Sequence, residues 1–228
     1  MNKLKSMMFD SLQLKLIGLA MTLIGAVGIT FFSGAGQETI RLILEFISYP
    51  AIAIFAYLAV EGHQKTDNLR KYNIALLLCA IATEPFYDYA CIGSWLDYGS
   101  ATGQTFLFAL LLCQFVILLL RTAEASENWK KLMIVSIFPA IPFWAMLSNV
   151  RFSGVAMLFT ALFYLLRMKP RTRNISVFAV GTVLKVTGGL GVPLVMKYSG
   201  QRGSYNKYLF YAAYPAMWMI LAMIKFFL

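Results

Sequence analysis

The sequence predicts an all-α protein that forms a polytopic transmembrane bundle of about eight helices. Hydrophobic residues make up 60% of the 228 residues and charged residues only 13%, with a mean hydropathy of +0.70. These values lie well outside the range of soluble globular domains. Apolar stretches also recur at about the 20 residues that a helix needs to cross a hydrocarbon core roughly 30 Å thick. Because only short polar connectors separate them, residues 1–228 are predicted to form a single integral membrane domain.

Each predicted helix is an apolar run that ends at a polar break. The first run is long enough to span the membrane and has no small-residue cleavage site after it, so we expect it to stay attached. Pro139 and Pro142 interrupt the fifth run, and only residues 148–151 separate it from the sixth, which predicts a tight helical hairpin. The eight predicted helices cover residues 12–32, 40–60, 72–90, 104–120, 132–147, 152–167, 175–196 and 208–227.

The orientation is predicted from the positions of Lys and Arg, because short basic loops are translocated poorly. With the N-terminus inside, the cytoplasmic segments hold twelve basic residues and the opposite side holds five. This bias predicts that both ends of the chain are cytoplasmic, N-in and C-in. Three of the five outer charges, Lys197, Arg202 and Lys207, lie in the single connector 197–207, which departs from the pattern.

Composition also excludes several classes of function. The net charge of +10 in a largely apolar chain indicates topology and contact with anionic headgroups, so membrane lipids, and not nucleic acid, are the expected partner. Cys79, Cys91 and Cys113 lack CxxC or Cys/His spacing, and two of them fall within apolar stretches, where a thiol acts as a small hydrophobe. Neither a metal site nor a disulfide is predicted.

Four ionisable residues fall within the predicted helices: Glu45, Glu84, Asp88 and Lys185. Each costs at least about 2.5–3.5 kcal/mol at mid-depth, so such residues usually face the bundle interior. Counting from the helix ends puts Glu84 and Lys185 near the midplane, and the i, i+4 spacing puts Asp88 on the same face as Glu84. We therefore expect a shared polar cavity, with Pro85 freeing backbone carbonyls beside it. The alternative is a Glu84–Lys185 ion pair that only fixes helix packing.

Two polar connectors carry further candidates. The connector after the second predicted helix contains His63, the single histidine of the chain, and an imidazole suits general base catalysis because it ordinarily titrates near neutral pH. The alternative is a solvated loop histidine. In the connector 197–208, Arg202 and the backbone amides beside Gly200 and Gly203 are suited to hold an anionic group. The alternative here is an ordinary basic turn at the membrane surface.

Three strings of residues, in order along the chain, resemble motifs of the TraX family. The first is Ile54–Gly62 followed by Thr66, Asn68 and Lys71-Tyr72, the second is Thr83–Asp88, and the third is Tyr198–Gly203 followed by Lys207–Tyr211 and Tyr214-Pro215. The resemblance extends from about Leu14 to Trp218, which is nearly the full chain. Three ordered motifs are much more specific than any one of them alone.

TraX proteins are polytopic inner-membrane proteins, and the named member acetylates the N-terminus of conjugative pilin. The resemblance therefore implies acyl transfer in the bacterial cytoplasmic (inner) membrane, with acetyl-CoA as donor and a pilin-type or surface-polymer acceptor. Such chemistry needs a base, which is expected from Glu84, Asp88 or His63. The expected substrate-binding residues are Glu61, Lys185, Arg202, Gly203 and Tyr208.

The chain departs from the family pattern at three histidine positions. An Asp-His pair in the first helix is replaced within residues 21–26, a C-terminal histidine is replaced around Ala216-Met217, and the histidine before Thr66 is Lys65, two residues after His63. These losses favour a second hypothesis, a catalytically inactive TraX-like protein that acts in surface or fimbrial assembly or binds a membrane partner. A third hypothesis, a small ion-coupled transporter, is disfavoured by the lack of an inverted repeat.

Overall fold

The computed structural model describes residues 8–96, 103–184, 187–201, 203 and 208–228. Over these residues the fold is all-α, as predicted, because 81% of them are helical and none lies in a strand. The helices are α1 Ser11–Phe31, α2 Glu38–Ser48, α3 Pro50–Lys65, α4 Leu69–Ile92, α5 Phe106–Ala125, α6 Lys130–Ser148, α7 Ser153–Leu165, α8 Pro170–Val183, α9 Val192–Met196 and α10 Tyr208–Phe227, with a 3₁₀ turn at Thr187–Gly191.

Local capping chemistry explains several helix boundaries. Asp10 and Gln13 form a capping box at the start of α1, in which Asp10 Oδ1 accepts from the Gln13 N–H over 2.7 Å and Gln13 Oε1 accepts from the Asp10 N–H over 3.1 Å. Asn68 caps α4 by accepting from the Lys71 N–H over 2.9 Å. Gly93 ends α4 in the left-handed conformation, at φ +79°, that glycine adopts without strain.

The prolines have different effects in different helices. Pro50 is the first residue of α3, and helical backbone at Tyr49 makes α2 and α3 one continuous stretch of 28 residues. Pro50 has no N–H to donate to the Phe46 carbonyl, which instead accepts from the Thr187 hydroxyl over 2.9 Å. Pro139 and Pro142 lie inside α6, which nevertheless runs unbroken from Lys130 to Ser148. The predicted tight hairpin between α6 and α7 is confirmed, since only residues 149–152 separate the two helices.

The helices run between two ends of the bundle, which we call proximal and distal. The proximal end contains the start of α1, the end of α3 and the connector after α9. There, the Phe9 N–H donates to the Lys197 carbonyl over 2.8 Å, and Lys65 Nζ donates to the Gly200 carbonyl over 2.8 Å. The distal end contains the start of α2, the end of α4 and the α6–α7 connector, where Arg151 pairs with Glu45.

The stretch 175–196, predicted to be one spanning helix, is instead part of a helical hairpin. In the hairpin α8 runs away from the proximal end, and the 3₁₀ turn and α9 return to it. Helix α8 ends at Val183, and glycines at 188, 189 and 191 lie in the 3₁₀ turn of the returning arm. They also let the arms approach closely, since a Cβ on Gly181 would lie 2.6 Å from the Gly189 nitrogen. We refer to residues 170–196 as the α8–α9 hairpin.

This hairpin corrects the predicted topology. The connector 197–207 was expected opposite the N-terminus, but its described residues bond to residues 9–11, so that prediction is wrong. The N-in/C-in arrangement is not confirmed, because α10 starts at the proximal end and runs to the distal end. There, Lys225 Nζ donates to the Ala90 carbonyl over 2.8 Å. The first and last described residues therefore lie at opposite ends of the bundle.

The number of membrane-spanning helices is also smaller than predicted. Within the described ranges, six helical stretches are long and apolar enough to span: Ser11–Phe31, Glu38–Lys65, Leu69–Ile92, Phe106–Ala125, Lys130–Ser148 and Leu209–Phe227. Two shorter apolar helical stretches, Ser153–Leu165 and Thr187–Met196, occupy the sixth and seventh predicted positions. The count of about eight spans is therefore not confirmed.

Helix α3 occupies the centre of the bundle. It contacts α1, α5, α7 and the returning arm of the hairpin, and ten of its sixteen residues are buried. Small residues make this packing close: a Cβ on Gly191 would lie 2.2 Å from the Pro50 carbonyl oxygen. The last turns of α3, which carry part of the first resemblance motif, are consequently held on several sides.

Candidate functional site

The proximal end of α3 carries a bonded polar cluster around Glu61. The Glu61 carboxylate accepts hydrogen bonds from the Tyr198 hydroxyl and from Lys65 Nζ, the latter over 2.5 Å. Its side chain is 13% exposed, whereas about half of the Lys65 side chain, 53%, is exposed. Lys65 also reaches the Gly200 carbonyl. Glu61 thus ties α3 to the connector after α9 and joins the first and third resemblance motifs.

Tyr198 acts as a neutral donor in this cluster. Burial, together with the hydrogen bond to Glu61, raises the pKa of Tyr198, so the phenol keeps its proton at physiological pH. Its ring packs edge-on against Tyr57, with centroids 5.8 Å apart. The guanidinium of Arg173 lies 5.2 Å from the Tyr57 ring centroid, within the range of a cation–π contact.

Gly203 lies against the cap of α1. A Cβ there would lie 2.9 Å from Asp10 Oδ2, and the backbone φ of +73° favours glycine. The neighbouring connector is fixed by the Ser11 N–H, which donates to the Gln201 carbonyl over 2.9 Å. The other predicted substrate-binding residues cannot be placed in this way: Lys185, Arg202 and the Tyr208 side chain lie outside the described residues.

His63 is buried within α3 instead of lying in a loop. Its side chain is 8% exposed because α3 extends to Lys65 and turns this face toward α5. Nδ1 of His63 lies 3.0 Å from Oε1 of Gln114, which is itself 3% exposed. Nε2 of His63 is buried and has no hydrogen-bond partner among the described residues.

The hydrogen bonds of Gln114 determine the tautomer of His63. Gln114 Nε2 donates to the Ala59 carbonyl over 3.1 Å, and only the amide nitrogen can donate there. The amide oxygen therefore faces His63 and accepts from Nδ1, which is the protonated nitrogen of the matching neutral tautomer. In that tautomer Nε2 holds the lone pair, as a general base requires.

A pocket of about 170 Å³ lies between α1, α3, α4, α5 and α10, and the neighbours of His63 line it although His63 itself does not. Ala59, one turn before His63, and Gly62, the residue just before it, line the pocket from α3. Tyr72 lines the pocket from α4. Lys15 and the Phe210 ring, 5.3 Å apart, lie at its proximal side. Most of the pocket wall is apolar, so it is suited to a neutral group.

Glu84 and Asp88 lie in the distal half of α4, away from His63. Both are buried, at 6% and 1% exposure, and Glu84 Oε2 accepts from the Thr105 N–H over 3.1 Å. Tyr72, which lies beside Gly62, precedes Glu84 by 12 residues, about 18 Å along a helix. The three residues predicted to supply a base are therefore not brought into one cluster.

Gln114 is the site residue that sequence analysis missed. It is a lone amide inside the apolar helix α5, and a polar side chain at such a position usually faces another helix and bonds to it. That signal was present in the sequence. Its partner could not be identified, because 51 residues separate His63 from Gln114 and only the packing of α3 on α5 brings them together.

Comparisons with known proteins gave one match. The family model described as TraX protein matches residues 10–225, nearly the whole chain. No curated protein and no solved structure matches this chain.

Proposed function

Because the chain belongs to the TraX family, we infer that it is a membrane-bound acyltransferase that uses His63 as its general base and acetyl-CoA as its donor. One observation carries this proposal. The imidazole is buried, Gln114 accepts from its Nδ1, and its Nε2 is not engaged by any described residue. A structural histidine buried to this extent normally has both nitrogens satisfied.

The proposed reaction transfers an acetyl group from sulfur to nitrogen or oxygen. His63 Nε2 takes the proton of the acceptor amine or hydroxyl as the acceptor atom attacks the thioester carbonyl carbon. The tetrahedral intermediate then collapses, the carbon–sulfur bond breaks, and the thiolate of coenzyme A leaves with the proton from His63. The Gln114 amide oxygen stabilises the imidazolium that exists between these two transfers.

The proposal places the proximal end in the cytoplasm, where acyl-CoA is available. Among the described residues, twelve Lys and Arg residues lie toward the proximal end, against three, Arg41, Arg151 and Lys225, toward the distal end. This bias is stronger than the twelve to five expected from sequence and follows the rule that basic loops stay inside. The six long stretches and the shorter helix α7 would then cross the bacterial inner membrane, seven crossings in all, with the α8–α9 hairpin re-entering from the cytoplasm.

The proximal end also has residues suited to the donor. The apolar pocket beside Gly62 fits the uncharged acyl and thioester part of acetyl-CoA. Its phosphates need cations, and the exposed side chains of Lys65, Arg70, Lys71 and Lys197 surround that end. Glu61 acts in this scheme by holding Lys65 and the connector after α9 in position.

The second candidate function is a catalytically inactive family member that serves surface or fimbrial assembly or binds a membrane partner. The absence of the family histidines from the first helix and the C-terminal helix favours it. The well-bonded Glu61 cluster would then be purely structural. An acceptor substrate, whether a pilin-type chain or a surface polymer, is expected only if the chain is an acyltransferase.

The test is acetyl transfer by purified protein in lipid nanodiscs, with pilin-type peptides and surface polymers as acceptors and mass spectrometry as the readout. His63→Gln retains a polar side chain but removes the base, so transfer should fall about 10²-fold or more. Calorimetric binding of acetyl-CoA should be unchanged in this variant. Gln64→Ala, at the exposed neighbouring position, serves as the matched control and should retain transfer.

The possible outcomes separate the two functions. Transfer that is unchanged in His63→Gln would overturn the assignment of the base. Binding of acetyl-CoA without transfer to any acceptor, from protein shown to be folded, would favour the inactive family member. Neither binding nor transfer would remove the support for acyl transfer.

A further inference from the structure

The α6–α7 connector at the distal end is held in a strained conformation. Asn149 and Phe152 have φ values of +46° and +57°, and within the described part of the chain they are the non-glycine residues with positive φ. A bulky residue such as Phe152 adopts this conformation only when its surroundings enforce it. Here Gln104 enforces it, since its N–H donates to the Asn149 carbonyl over 2.8 Å and its carbonyl accepts from the Arg151 N–H over 3.2 Å.

This conformation turns Arg151 into the bundle. Its side chain is 20% exposed, Nη2 lies 2.9 Å from Glu45 Oε2, and the guanidinium also bonds to Tyr87. The Tyr49 hydroxyl donates to the same Glu45 oxygen over 3.3 Å. The Phe152 ring lies 4.9 Å from the Arg151 guanidinium. Strained backbone is thus used to fix one cation in a defined position.

A second cation, Arg41, faces the same carboxylate. Arg41 Nε lies 3.8 Å from Glu45 Oε1, which is an ion pair but too long for a hydrogen bond. That nitrogen is buried and has no hydrogen-bond partner among the described residues. Two guanidinium groups therefore share one carboxylate, which leaves a net positive charge and a buried donor to be satisfied.

These residues form the floor of an open cleft of about 490 Å³. Its polar floor comes from Arg41, Glu45 and Arg151, and its walls include the apolar side chains of Ile29 and Met146. Met146 is 83% exposed on a helix that faces the membrane. The cleft therefore offers an anion site on its floor and an apolar surface at its edge.

From this arrangement we propose that the distal cleft binds a phosphate group through Arg41 and Arg151. Guanidinium groups bind phosphate oxygens through paired N–H donors, and a phosphate here would satisfy the buried Arg41 Nε. The apolar edge favours the phosphate of an anionic phospholipid, whose chain would lie against Met146, although a free phosphate ester shares the same chemistry. The cleft is at the opposite end of the bundle from His63, so it does not depend on acyl transfer.

The experiment uses full-length protein in nanodiscs of phosphatidylcholine, with phosphatidylglycerol titrated in and retained lipid counted by native mass spectrometry after release. Wild-type protein should retain phosphatidylglycerol, and Arg41→Gln should weaken this binding about tenfold. Arg41 is chosen because its side chain is 38% exposed, so its loss is less disruptive to folding than loss of Arg151. Lys225→Gln removes another distal cation and should behave as wild type.

A second arm measures the binding of free glycerol 3-phosphate by calorimetry. Binding of the free ester that is lost in Arg41→Gln, without selective lipid retention, would support the phosphate site but identify a soluble ligand. Equal phosphatidylglycerol retention by Arg41→Gln and Lys225→Gln, with no binding of the free ester, would overturn the proposal. Comparable thermal unfolding of the two variants verifies that both are folded.

Discussion

The returning arm of the α8–α9 hairpin packs so tightly on α3 that one added methyl group should be measurable. A Cβ on Gly191 would lie 2.2 Å from the Pro50 carbonyl oxygen and 3.1 Å from the Ala53 Cβ. An ordinary carbon–oxygen contact is at least about 3.4 Å, so the arm must move by about 1 Å, and its neighbour here is backbone. Overpacking of this kind costs about 1–3 kcal/mol.

For a chain of this size, that cost corresponds to a decrease of about 2–12 °C in the midpoint of thermal unfolding. The assay is thermal unfolding of Gly191→Ala in a single detergent, with Gly34→Ala as control, because a Cβ on Gly34 meets only an ordinary contact at 3.4 Å. Acetyl transfer should fall as well, since the arm leads directly to Tyr198 and Gly200 beside Glu61. Equal midpoints for the two variants would refute the close packing of the hairpin on α3.

Two further predictions concern the ends of the bundle. In a cysteine-free background, a membrane-impermeant thiol reagent should label Ser199→Cys from the cytoplasmic side and Leu228→Cys from the outer side, because residue 199 is proximal and residue 228 is distal. The reverse pattern would restore the N-in/C-in arrangement, in which the connector 197–207 lies outside. Tyr198→Phe removes a hydrogen bond to Glu61 at a partly buried position and should lower stability by about 1 kcal/mol at pH 8. The pKa of Tyr198 is raised on folding, so its contribution to the free energy of unfolding is complete below the unfolded pKa of about 10 and declines above it. The difference in unfolding free energy between wild type and Tyr198→Phe should therefore narrow at higher pH. A difference that widens with pH would contradict this assignment.

Much of the fold could be predicted from hydropathy, because lipid requires long apolar helices with every backbone group bonded internally. Six of the eight predicted helices correspond to stretches that are long enough to span. The exception that changed the topology, residues 175–196, has the composition of a span but folds back on itself, with Gly181 packed against Gly189. Hydropathy measures apolar content and does not register such a reversal, so the positions of the last connector and of α10 were predicted incorrectly.

The candidate site was predicted in part. Glu61 and Gly203 belong to motifs far apart in sequence, and the structure places both near the start of α1. His63 was a candidate base from sequence, but its burial and its pairing with Gln114 depend on where α3 ends and which face it turns to α5. The sequence identifies Glu45 as an intramembrane charge but places Arg151 only in a short connector, so the ion pair between them could not be predicted.

The sequence by itself determined the solvent, the helical class and the family, because these depend on composition and on short motifs that need no knowledge of packing. Tertiary structure alone decided which end each connector occupies, that His63 meets Gln114 and how two arginines come to share Glu45. Each of these depends on contacts between residues that are distant in the chain. Such contacts form where small residues such as Gly181, Gly189 and Gly191 allow helices to approach closely. The helical periodicity of one segment shows which face is apolar but does not identify the helix that packs against that face.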